Sequence, residues 1–323
     1  MYKPPFTVSA KSISMIAEIS ALVERFVIAL ENDKLKLRRI NKIKTIQSSL
    51  AIEGNNLSEE QISDILDGKR VVAPLREIQE VKNAIATYDN FSNFDAFSPK
   101  DLLKAHKLMM QGLVDNAGEF RRGGVGVFKE DKAIHIAPPA ERVPSLIDNL
   151  FDWLKGSQDH LLIRSCVFHF EFEFIYPFID GNGRMGRLWQ SLILAKLNPV
   201  FESLPVETMV HDNQQAYYNA INESALNADA GIFVEFMLNE ILKTLKSSQS
   251  TSNTTPLGVV NGVVNPKVTE LLNCIKTHEG LNATQLGKTL NIAPRTLSRY
   301  LQSLSDSVEY IGSPRKGGYF VKR

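Results

Sequence analysis

The residues best suited to chemistry lie in one stretch, Tyr176-Pro177-Phe178-Ile179-Asp180-Gly181-Asn182-Gly183-Arg184-Met185-Gly186-Arg187. Glycines without a Cβ atom let backbone N–H groups approach an anion, and a helix starting near Gly183 adds a partial positive charge. Arg184 and Arg187 are three residues apart, so on a helix both guanidinium groups face one side. Asp180 offers a hard oxygen ligand for Mg2+. We therefore predict a site for the phosphates of a nucleotide.

Two other readings of this stretch have to be weighed. It lacks the G-x-x-x-x-G-K-[ST] pattern, which excludes an ordinary P-loop NTPase. Taken in isolation, the Gly-Asn-Gly sequence is also typical of a plain connection between helices, with glycine for turning, asparagine for capping and solvated arginines. The clustering of Asp180 and both arginines around the glycines favours the phosphate site.

The stretch resembles the signature H-P-F-x-[D/E]-G-N-G-R-x-x-R of the Fic (Fido) family at every defined position except the first, Tyr176. The resemblance extends over roughly residues 43–245. It implies transfer of AMP from ATP to a Ser, Thr or Tyr hydroxyl of a target protein, with Mg2+ on Asp180. It also implies a set of ATP-binding residues, namely Gly181, Asn182, Gly183, Arg184, Met185, Gly186 and Arg187.

Tyr176 stands where the family has a histidine that acts as general base on the incoming hydroxyl. A phenol with a pKa near 10 is ionised to about one part in a thousand at pH 7, a deficit of about 4 kcal/mol. We therefore expect weak or absent standard transfer. Alternatively, nearby arginines and amides lower the phenol pKa, and a phenolate serves as base or is itself modified. His169, two helical turns upstream, is expected to pack or hold the loop, and His135 is a remote candidate base.

A second element of the family lies upstream, where residues 49–55 read SLAIEGN and match the inhibitory pattern [S/T]-x-x-x-E-[G/N]. The resemblance implies that Glu53, on a helix that also carries Ser49, pairs with Arg187 and displaces the γ-phosphate. The chain would then belong to the class with an N-terminal inhibitory helix. Taken alone, Glu53 is more typical of an exposed glutamate near a helix end, and the loop motif is what favours the inhibitory role.

Two further regions complete the resemblance. Tyr217 and Tyr218 resemble paired tyrosines that line the adenine pocket, although two aromatic residues on a helix are also typical of a core. Residues 125–139, which we call the flap, contain two alternating apolar pieces around a polar turn and predict a hairpin. By resemblance, the flap would bind a target protein by strand addition, with little sequence specificity.

The elements that position these residues are predicted to be helices, because apolar residues recur at three- and four-residue steps. The fold class is mainly α: a Fic-type helical core with a small β-hairpin flap, followed by a small winged helix-turn-helix domain. At roughly 150 residues per domain, 323 residues suggest about two domains. We predict an N-terminal helical region with the inhibitory motif over 1–100, a Fic core over 101–245, a polar linker over 246–262 and the winged helix over 263–323.

The C-terminal segment is basic, with nine Lys or Arg against four acidic residues over 263–323. Its second and third predicted helices have helix-turn-helix dimensions, and its final strands form the wing. DNA would be contacted in the major groove by the helix start and along the phosphates by the wing tip. The residues predicted for this role are Arg295, Thr296, Ser298, Arg299, Arg315 and Lys316. A single copy would bind weakly, which favours a homodimer; use of this module for dimerisation or protein contact is the alternative.

Composition limits the remaining possibilities. The formal charge of +1 excludes a protein that binds nucleic acid through global charge alone. Two distant cysteines, Cys166 and Cys274, predict buried thiols in a reducing compartment rather than a disulfide framework. No apolar run approaches the roughly 18 to 20 residues of a membrane span, so we expect a cytoplasmic protein without a membrane partner.

Two functional classes therefore compete. The first is a Fic-type protein adenylyltransferase, restrained by Glu53 and doubtful in activity because of Tyr176. The second is a catalytically impaired ATP-binding regulator that binds DNA through its winged helix. A variant of the first transfers phosphate or another nucleotide instead of AMP. The sequence identifies neither the target protein nor a DNA site.

Overall fold

The computed structural model describes residues 2–29, 34–129, 132–204, 206–252, 259–260, 263–264, 266–278, 280–290, 292–304, 308–313 and 317–322. The chain divides into two compact units, Met1–Lys246 and Ser247–Arg323. Both consist mainly of helices, as the sequence predicted. The predicted boundary at residue 100 falls inside the first unit.

The first unit contains most of the helices. They are α1 (Ala10–Ala29), α2 (Lys34–Ile52), α3 (Glu59–Leu66), α4 (Leu75–Asp89), α5 (Pro99–Met110), α6 (Val143–Gly156), α7 (Leu161–Ile175), α8 (Asn182–Leu197), α9 (Val206–Asp212), α10 (Gln214–Asn227) and α11 (Gly231–Ser252). Short 3-10 helices lie at Phe91–Asn93, Ala140–Arg142 and Pro199–Ser203.

Helices α7 and α8 form the centre of the first unit, packed against each other. Apolar and aromatic residues occur all round α7, as expected of a helix that is buried on every side. Large side chains such as Phe168, Phe172 and Trp189 are completely buried between the neighbouring helices. The loop that joins α7 to α8 is therefore held at both ends by rigid, buried elements.

The N-terminal helices belong to the same core. Ile19 of α1 and Ile46 and Leu50 of α2 are buried in the cluster that also contains the side chains of α7 and α8. Helix α2 packs against α4, α8 and α9. Residues on both sides of position 100 thus share one hydrophobic core, because α1 and α2 have no other surface against which to bury their apolar faces.

The flap is a hairpin, as predicted. Strand β1 (Gly126–Lys129) pairs antiparallel with β2 (Lys132–Ile136), and the register shifts between Val127 and Phe128. The backbone N–H of Ala137 also donates to the carbonyl of Val125 at 3.3 Å, which closes the base of the hairpin. The side chain of His135 lies outside the described residues, so its candidacy as a base stays a prediction.

The second unit contains β3 (Val259–Val260) paired with β4 (Val263–Val264), then α12 (Pro266–Thr277), α13 (Ala283–Thr289), α14 (Pro294–Ser303), and β5 (Val308–Ile311) paired with β6 (Gly318–Val321). Its own hydrophobic cluster includes Leu271, Leu286, Leu297 and Val308.

The predicted linker over 246–262 is partly structured, since α11 continues to Ser252 and β3 lies at its end. A polar tract without glycine or proline before Pro256 does not by itself end a helix. Among the described residues, no helix has the length and apolar character needed to cross a membrane. Cys166 and Cys274 are free thiols.

Candidate nucleotide-binding site

Two left-handed residues shape the loop between α7 and α8. Tyr176 caps α7 with φ at 51°, and its N–H still donates to the carbonyl of Phe172 at 3.0 Å. Gly181 precedes α8 with φ at 86°. A side chain with a Cβ atom in this conformation costs about 1–2 kcal/mol, whereas glycine adopts it freely. The chain therefore carries backbone strain at Tyr176, the position where the family has its histidine.

Asn182 closes the loop. Its side-chain oxygen accepts the N–H of Phe178 at 2.9 Å, and its amide nitrogen donates to the carbonyl of Phe178 at 2.9 Å. The Asn182 residue is buried. The observed side chain is engaged with the loop backbone, and ATP binding by Asn182 stays a prediction. Met185, also predicted to bind ATP, is a fully buried core residue, which leaves only its backbone for such a contact.

Arg184 and Asp180 form the polar centre of the loop. Arg184 is only 3% exposed, and its Nη2 lies 3.3 Å from Oδ1 of Asp180. Two other guanidinium nitrogens of Arg184, Nε and Nη1, are buried without a hydrogen-bond partner among the described residues. Buried N–H groups of a cation are costly to leave unpaired, so this arrangement favours an anionic ligand. The Asp180 carboxylate is 40% exposed and accessible to a metal ion.

Arg187 is the buried partner of the predicted inhibitory helix. Its Nη2 donates to Oε1 of Glu53 at 2.8 Å and to the backbone carbonyl of Ser49 at 3.0 Å. The hydroxyl of Ser49 lies 3.5 Å from the same nitrogen. Arg187 is 1% exposed, whereas the Glu53 side chain is 31% exposed. The structure thus brings together the three residues that the inhibitory motif predicts.

Gly183 and Gly186 pack closely against charged side chains of the site. A Cβ atom on Gly183 would lie 2.7 Å from Oε1 of Glu53 and 3.0 Å from Nη1 of Arg187. A Cβ atom on Gly186 would lie 2.6 Å from Oε1 of Glu173. These distances are shorter than van der Waals contact, so a larger residue would displace a charged group of the site.

The surroundings of Tyr176 disfavour a phenolate. Burial raises the pKa of its hydroxyl, and the nearby Glu173 carboxylate raises that pKa further, while a hydrogen bond from Asn182 opposes the shift. The alternative in which arginines and loop amides lower the phenol pKa is therefore wrong. Burial is the largest cause of this rise in pKa, and the carboxylates of Glu53 and Asp180 add to it. Tyr176 remains a neutral phenol near pH 7.

His169 and Tyr217 are core residues in this structure. Nδ1 of His169 lies 2.7 Å from the side-chain oxygen of Gln190, and its Nε2 lies 3.1 Å from the hydroxyl of Tyr217. Burial lowers the pKa of His169 to about 4, so the ring is neutral and accepts from Tyr217. Tyr218, in contrast, is 43% exposed. Only Tyr218 of the predicted pair presents an exposed ring, and the adenine pocket stays a prediction.

Three residues near the loop were missed by the sequence analysis. Nε2 of His106 lies 3.0 Å from the carbonyl oxygen of Asp180, and its ring stacks on Phe178 at 3.6 Å. Arg76 lies 3.6 Å from Oδ2 of Asp180. Burial raises the pKa of Glu173 to about 7. Glu173 had a visible signal, since an ionisable residue within an otherwise apolar helix needs a partner or a role. His106 and Arg76 had none, because they reach the loop only through tertiary packing.

The predicted DNA-contacting residues lie in the second unit. Arg295, Ser298 and Arg299 are exposed on α14, and Thr296 is half-buried there. The Arg299 guanidinium lies 5.7 Å from the ring centre of Tyr300. Arg315 and Lys316 lie outside the described residues. The exposed Arg295 and Arg299 lie four residues apart on α14, and their contact with DNA stays a prediction.

The Fic/DOC family profile matches residues 96–194, which include the loop and both of its helices. A Fic family protein of known crystal structure from Desulfovibrio desulfuricans G20 is 42% identical to this chain, with a TM-score of 0.76. The match covers 99% of this chain and 98% of that one. The chain belongs to the Fic/DOC family. Its membership agrees with the resemblance inferred from the loop.

Other relatives are named for an activity but match over less of their length. The protein adenylyltransferase Fic of Culex quinquefasciatus is 30% identical over 226 residues, which is 65% of this chain and 42% of the relative. The Aedes aegypti protein of the same name is 28% identical over 234 residues, 44% of its length. The chain thus spans less than half of these relatives. Fic-1 of C. elegans, residues 134–508, shares the fold at 21% identity and a TM-score of 0.59 over 75% of this chain and 73% of that one.

Proposed function

We propose that this Fic family protein binds ATP at the loop between α7 and α8 and transfers AMP to a hydroxyl group of a target protein. The observation that carries the proposal is the buried Arg184 guanidinium, with two nitrogens unpartnered among the described residues, on the first turn of α8. A phosphate would supply the missing acceptors, and the helix N-terminus would favour its charge. Relatives named protein adenylyltransferase Fic support ATP as the nucleotide.

Asp180 is the residue that would hold Mg2+. Within the described part of the chain, no group of three or more His, Cys, Asp or Glu residues forms a metal cage. Magnesium commonly binds through one or two carboxylates together with substrate phosphates and water, and a single half-exposed Asp180 fits that pattern. When bound, the ion would neutralise charge on the phosphates. Asp180 would have to exchange its contact with Arg76 for the metal.

The transfer forms a bond from the target hydroxyl oxygen to the α-phosphorus of ATP and breaks the bond to the departing pyrophosphate. The hydroxyl proton must go to a base. Tyr176, whose pKa is raised, is protonated and holds no free site for that proton at neutral pH. We therefore infer that the protein transfers AMP slowly, and that Tyr176→His restores a base near its working pKa.

We also propose autoinhibition by Glu53, which its pairing with Arg187 supports. An arginine that would bind the γ-phosphate is occupied by an internal carboxylate at 2.8 Å. Nucleotide and Glu53 therefore compete for one guanidinium group. Displacing the carboxylate costs the free energy of a hydrogen-bonded ion pair, which the incoming phosphate must exceed.

The test is intact-mass analysis of the full chain after incubation with ATP and Mg2+. Three variants are compared: Glu53→Gly, Tyr176→His, and both changes together. We expect an AMP adduct on the double variant, and little or none on Glu53→Gly alone. Equal labelling of Glu53→Gly and of the double variant would refute the argument about the base at position 176.

The adduct mass also identifies the chemistry, because AMP, UMP and phosphate differ in mass. A phosphate adduct from ATP, or a UMP adduct when UTP is supplied in its place, would replace adenylylation by another transfer. Failure of calorimetry to detect ATP binding by Glu53→Gly at millimolar nucleotide would contradict the nucleotide site itself.

As a second function, we propose that the C-terminal module is a winged helix that binds DNA as a homodimer. It is supported by the exposed basic side chains at the start of α14, Arg295 and Arg299, and by the basic composition of the segment. With a neutral tyrosine at position 176, the protein would then act as an ATP-binding regulator. DNA retention at low salt that depends on ATP and leaves no covalent product would support this reading. No retention of any promoter fragment, including that of its own gene, would contradict it.

A further inference from the structure

Arg121 joins the reacting loop to both ends of the flap through backbone carbonyl groups. Its Nε donates to the carbonyl of Tyr176 at 2.7 Å. Nη1 donates to the carbonyl of Gly123 at 2.9 Å, and Nη2 donates to that of Pro138 at 2.6 Å. Gly123 comes just before the flap and Pro138 near its end. One side chain thus contacts the loop, the entry to the hairpin and the exit from it.

The contacts extend to the end of α7. Nη2 of Arg121 also lies 3.3 Å from the carbonyl of Ile175, and the backbone N–H of Arg121 donates to the carbonyl of Pro177 at 2.9 Å. The last carbonyls of a helix lack partners within the helix and carry its partial negative charge. A guanidinium group at this place satisfies them and is favoured by the helix dipole.

The environment of Arg121 is that of a structural clamp. Its residue is 5% exposed, and burial lowers the pKa of the guanidinium. A buried cation needs hydrogen-bond partners, and here four main-chain carbonyl oxygens accept from the guanidinium group. A planar fork can reach three separate carbonyl groups at fixed angles, whereas a lysine ammonium is a single point with freely rotating donors.

The clamp holds a strained residue. The backbone of Tyr176 adopts the left-handed conformation, with φ at 51°. Nε of Arg121 donates to the carbonyl of this same residue. Such a conformation persists only where the surroundings over-determine it. Arg121 therefore fixes the backbone of the position where the family has its base, in the same contact set that fixes the flap.

We propose that Arg121 is a positioning residue that sets the flap at a fixed distance from position 176, so that a hydroxyl carried by a target strand reaches the α-phosphate. The effect of Arg121 on the reaction rests on the proposed function, because it concerns where the target hydroxyl lies during AMP transfer. The anchoring of the flap by Arg121 does not depend on the proposed function. The described hydrogen bonds of Arg121 go to backbone carbonyl groups and not to Asp180, Arg184 or Arg187, so nucleotide binding is expected to survive its replacement.

The test compares Arg121→Lys with Arg122→Lys in the full-length chain carrying Glu53→Gly and Tyr176→His. Arg122 is a matched control, since its side chain is 81% exposed and pairs only with Glu119 at 2.9 Å among the described contacts. Three quantities are measured: ATP affinity, the rate of AMP labelling, and hydrogen exchange of peptides covering residues 123–129 and 132–138.

For Arg121→Lys we expect ATP affinity within about twofold of the parent, because the phosphate site is untouched. Amide exchange in both flap peptides should rise about tenfold or more, since several charge-assisted hydrogen bonds at its base are lost. The labelling rate should fall about tenfold or more, with the effect on the rate at saturating ATP, because misplaced reactants lose catalysis. Arg122→Lys should change none of the three.

Equal flap exchange in the two variants, at whatever level, would overturn the proposal. Unchanged labelling despite a loosened flap would overturn it as well. If Arg121→Lys fails to fold, Arg121→Gln, which retains an amide donor, takes its place in the same comparison. Absence of ATP binding and labelling in the parent would refute the proposed function, and the exchange measurement would then decide the role of Arg121 alone.

Discussion

Replacing Glu53 by alanine should lower stability and raise ATP affinity together. Oε1 of Glu53 accepts a hydrogen bond from the almost fully buried Arg187 at 2.8 Å. A hydrogen bond to a charged group contributes about 1.5–3 kcal/mol, and the partial exposure of Glu53 to water reduces this value. We therefore expect the free energy of unfolding to fall by about 1–2 kcal/mol in Glu53→Ala. Ser49 continues to accept from Arg187 through its backbone carbonyl, which limits the loss.

The same free energy opposes nucleotide binding in the wild type. If the γ-phosphate takes the place of Glu53 on Arg187, removal of the carboxylate makes the free energy of ATP binding more favourable by about 1–2 kcal/mol. This corresponds to about a five- to 30-fold gain in ATP affinity. A lower free energy of unfolding together with a higher ATP affinity distinguishes competition between Glu53 and nucleotide from a general loosening of the fold. A variant that merely loosened the fold would lose both.

Calorimetric titration with ATP and thermal unfolding measure the two effects on the same samples. Glu60→Ala, which removes an exposed glutamate from the first turn of α3, serves as the control. The unfolding midpoint of Glu53→Ala should fall by about 2–8 °C, at roughly 2–4 °C per kcal/mol for a unit of this size. An ATP dissociation constant within twofold of that of Glu60→Ala would refute the competition between Glu53 and nucleotide.

Three further predictions concern buried and exposed groups elsewhere. Burial raises the pKa of Glu207 to about 7, so the folded protein binds this proton more tightly than the unfolded chain does. The free energy of unfolding, relative to that of Glu207→Gln, should therefore fall as pH rises from about 4.5 to 7. The expected fall is up to about 1.4 kcal/mol per pH unit, measured by urea titration. Tyr217→Phe removes a donor to buried His169 and should cost about 1–3 kcal/mol of stability without changing ATP affinity, whereas Tyr218→Ala should weaken ATP binding if its exposed ring stacks on the base. Arg299→Ala should weaken DNA binding and reduce the slope of log affinity against log salt by about 1.

Each of these has a result that contradicts it. Parallel stability profiles of the wild type and Glu207→Gln across the pH range would show that the carboxyl does not titrate there. Weaker ATP binding in Tyr217→Phe than in Tyr218→Ala would show that Tyr217, and not Tyr218, contributes to the nucleotide pocket. A salt slope for Arg299→Ala equal to that of the wild type would remove this side chain from any DNA contact.

The helical pattern and the loop motif could be predicted because their signals are local. A long apolar run that ends at Tyr176-Pro177 indicated α7, and glycine at position 181 indicated a backbone that turns where a side chain would be strained. The hairpin of the flap followed from alternation around a polar turn.

Predictions about individual side chains were less complete. The Fic resemblance suggested the pair of Glu53 and Arg187, which lie 134 residues apart, and composition alone could not have done so. The alternative in which arginines lower the pKa of Tyr176 took no account of burial and of Glu173, both of which raise it. Tyr217 and Tyr218 are adjacent in the chain, yet only the packing shows that one is buried and the other exposed.

The sequence by itself determined the elements and the residue types that meet a phosphate group, since these depend on neighbours a few positions apart. The tertiary structure alone decided which distant groups complete the site: His106 against Asp180, and Arg121 between position 176 and the flap. Hydrogen bonds and desolvation act over a few ångströms in space, and they do not depend on how far apart two residues are along the chain. Such partners become visible only when the helices are packed.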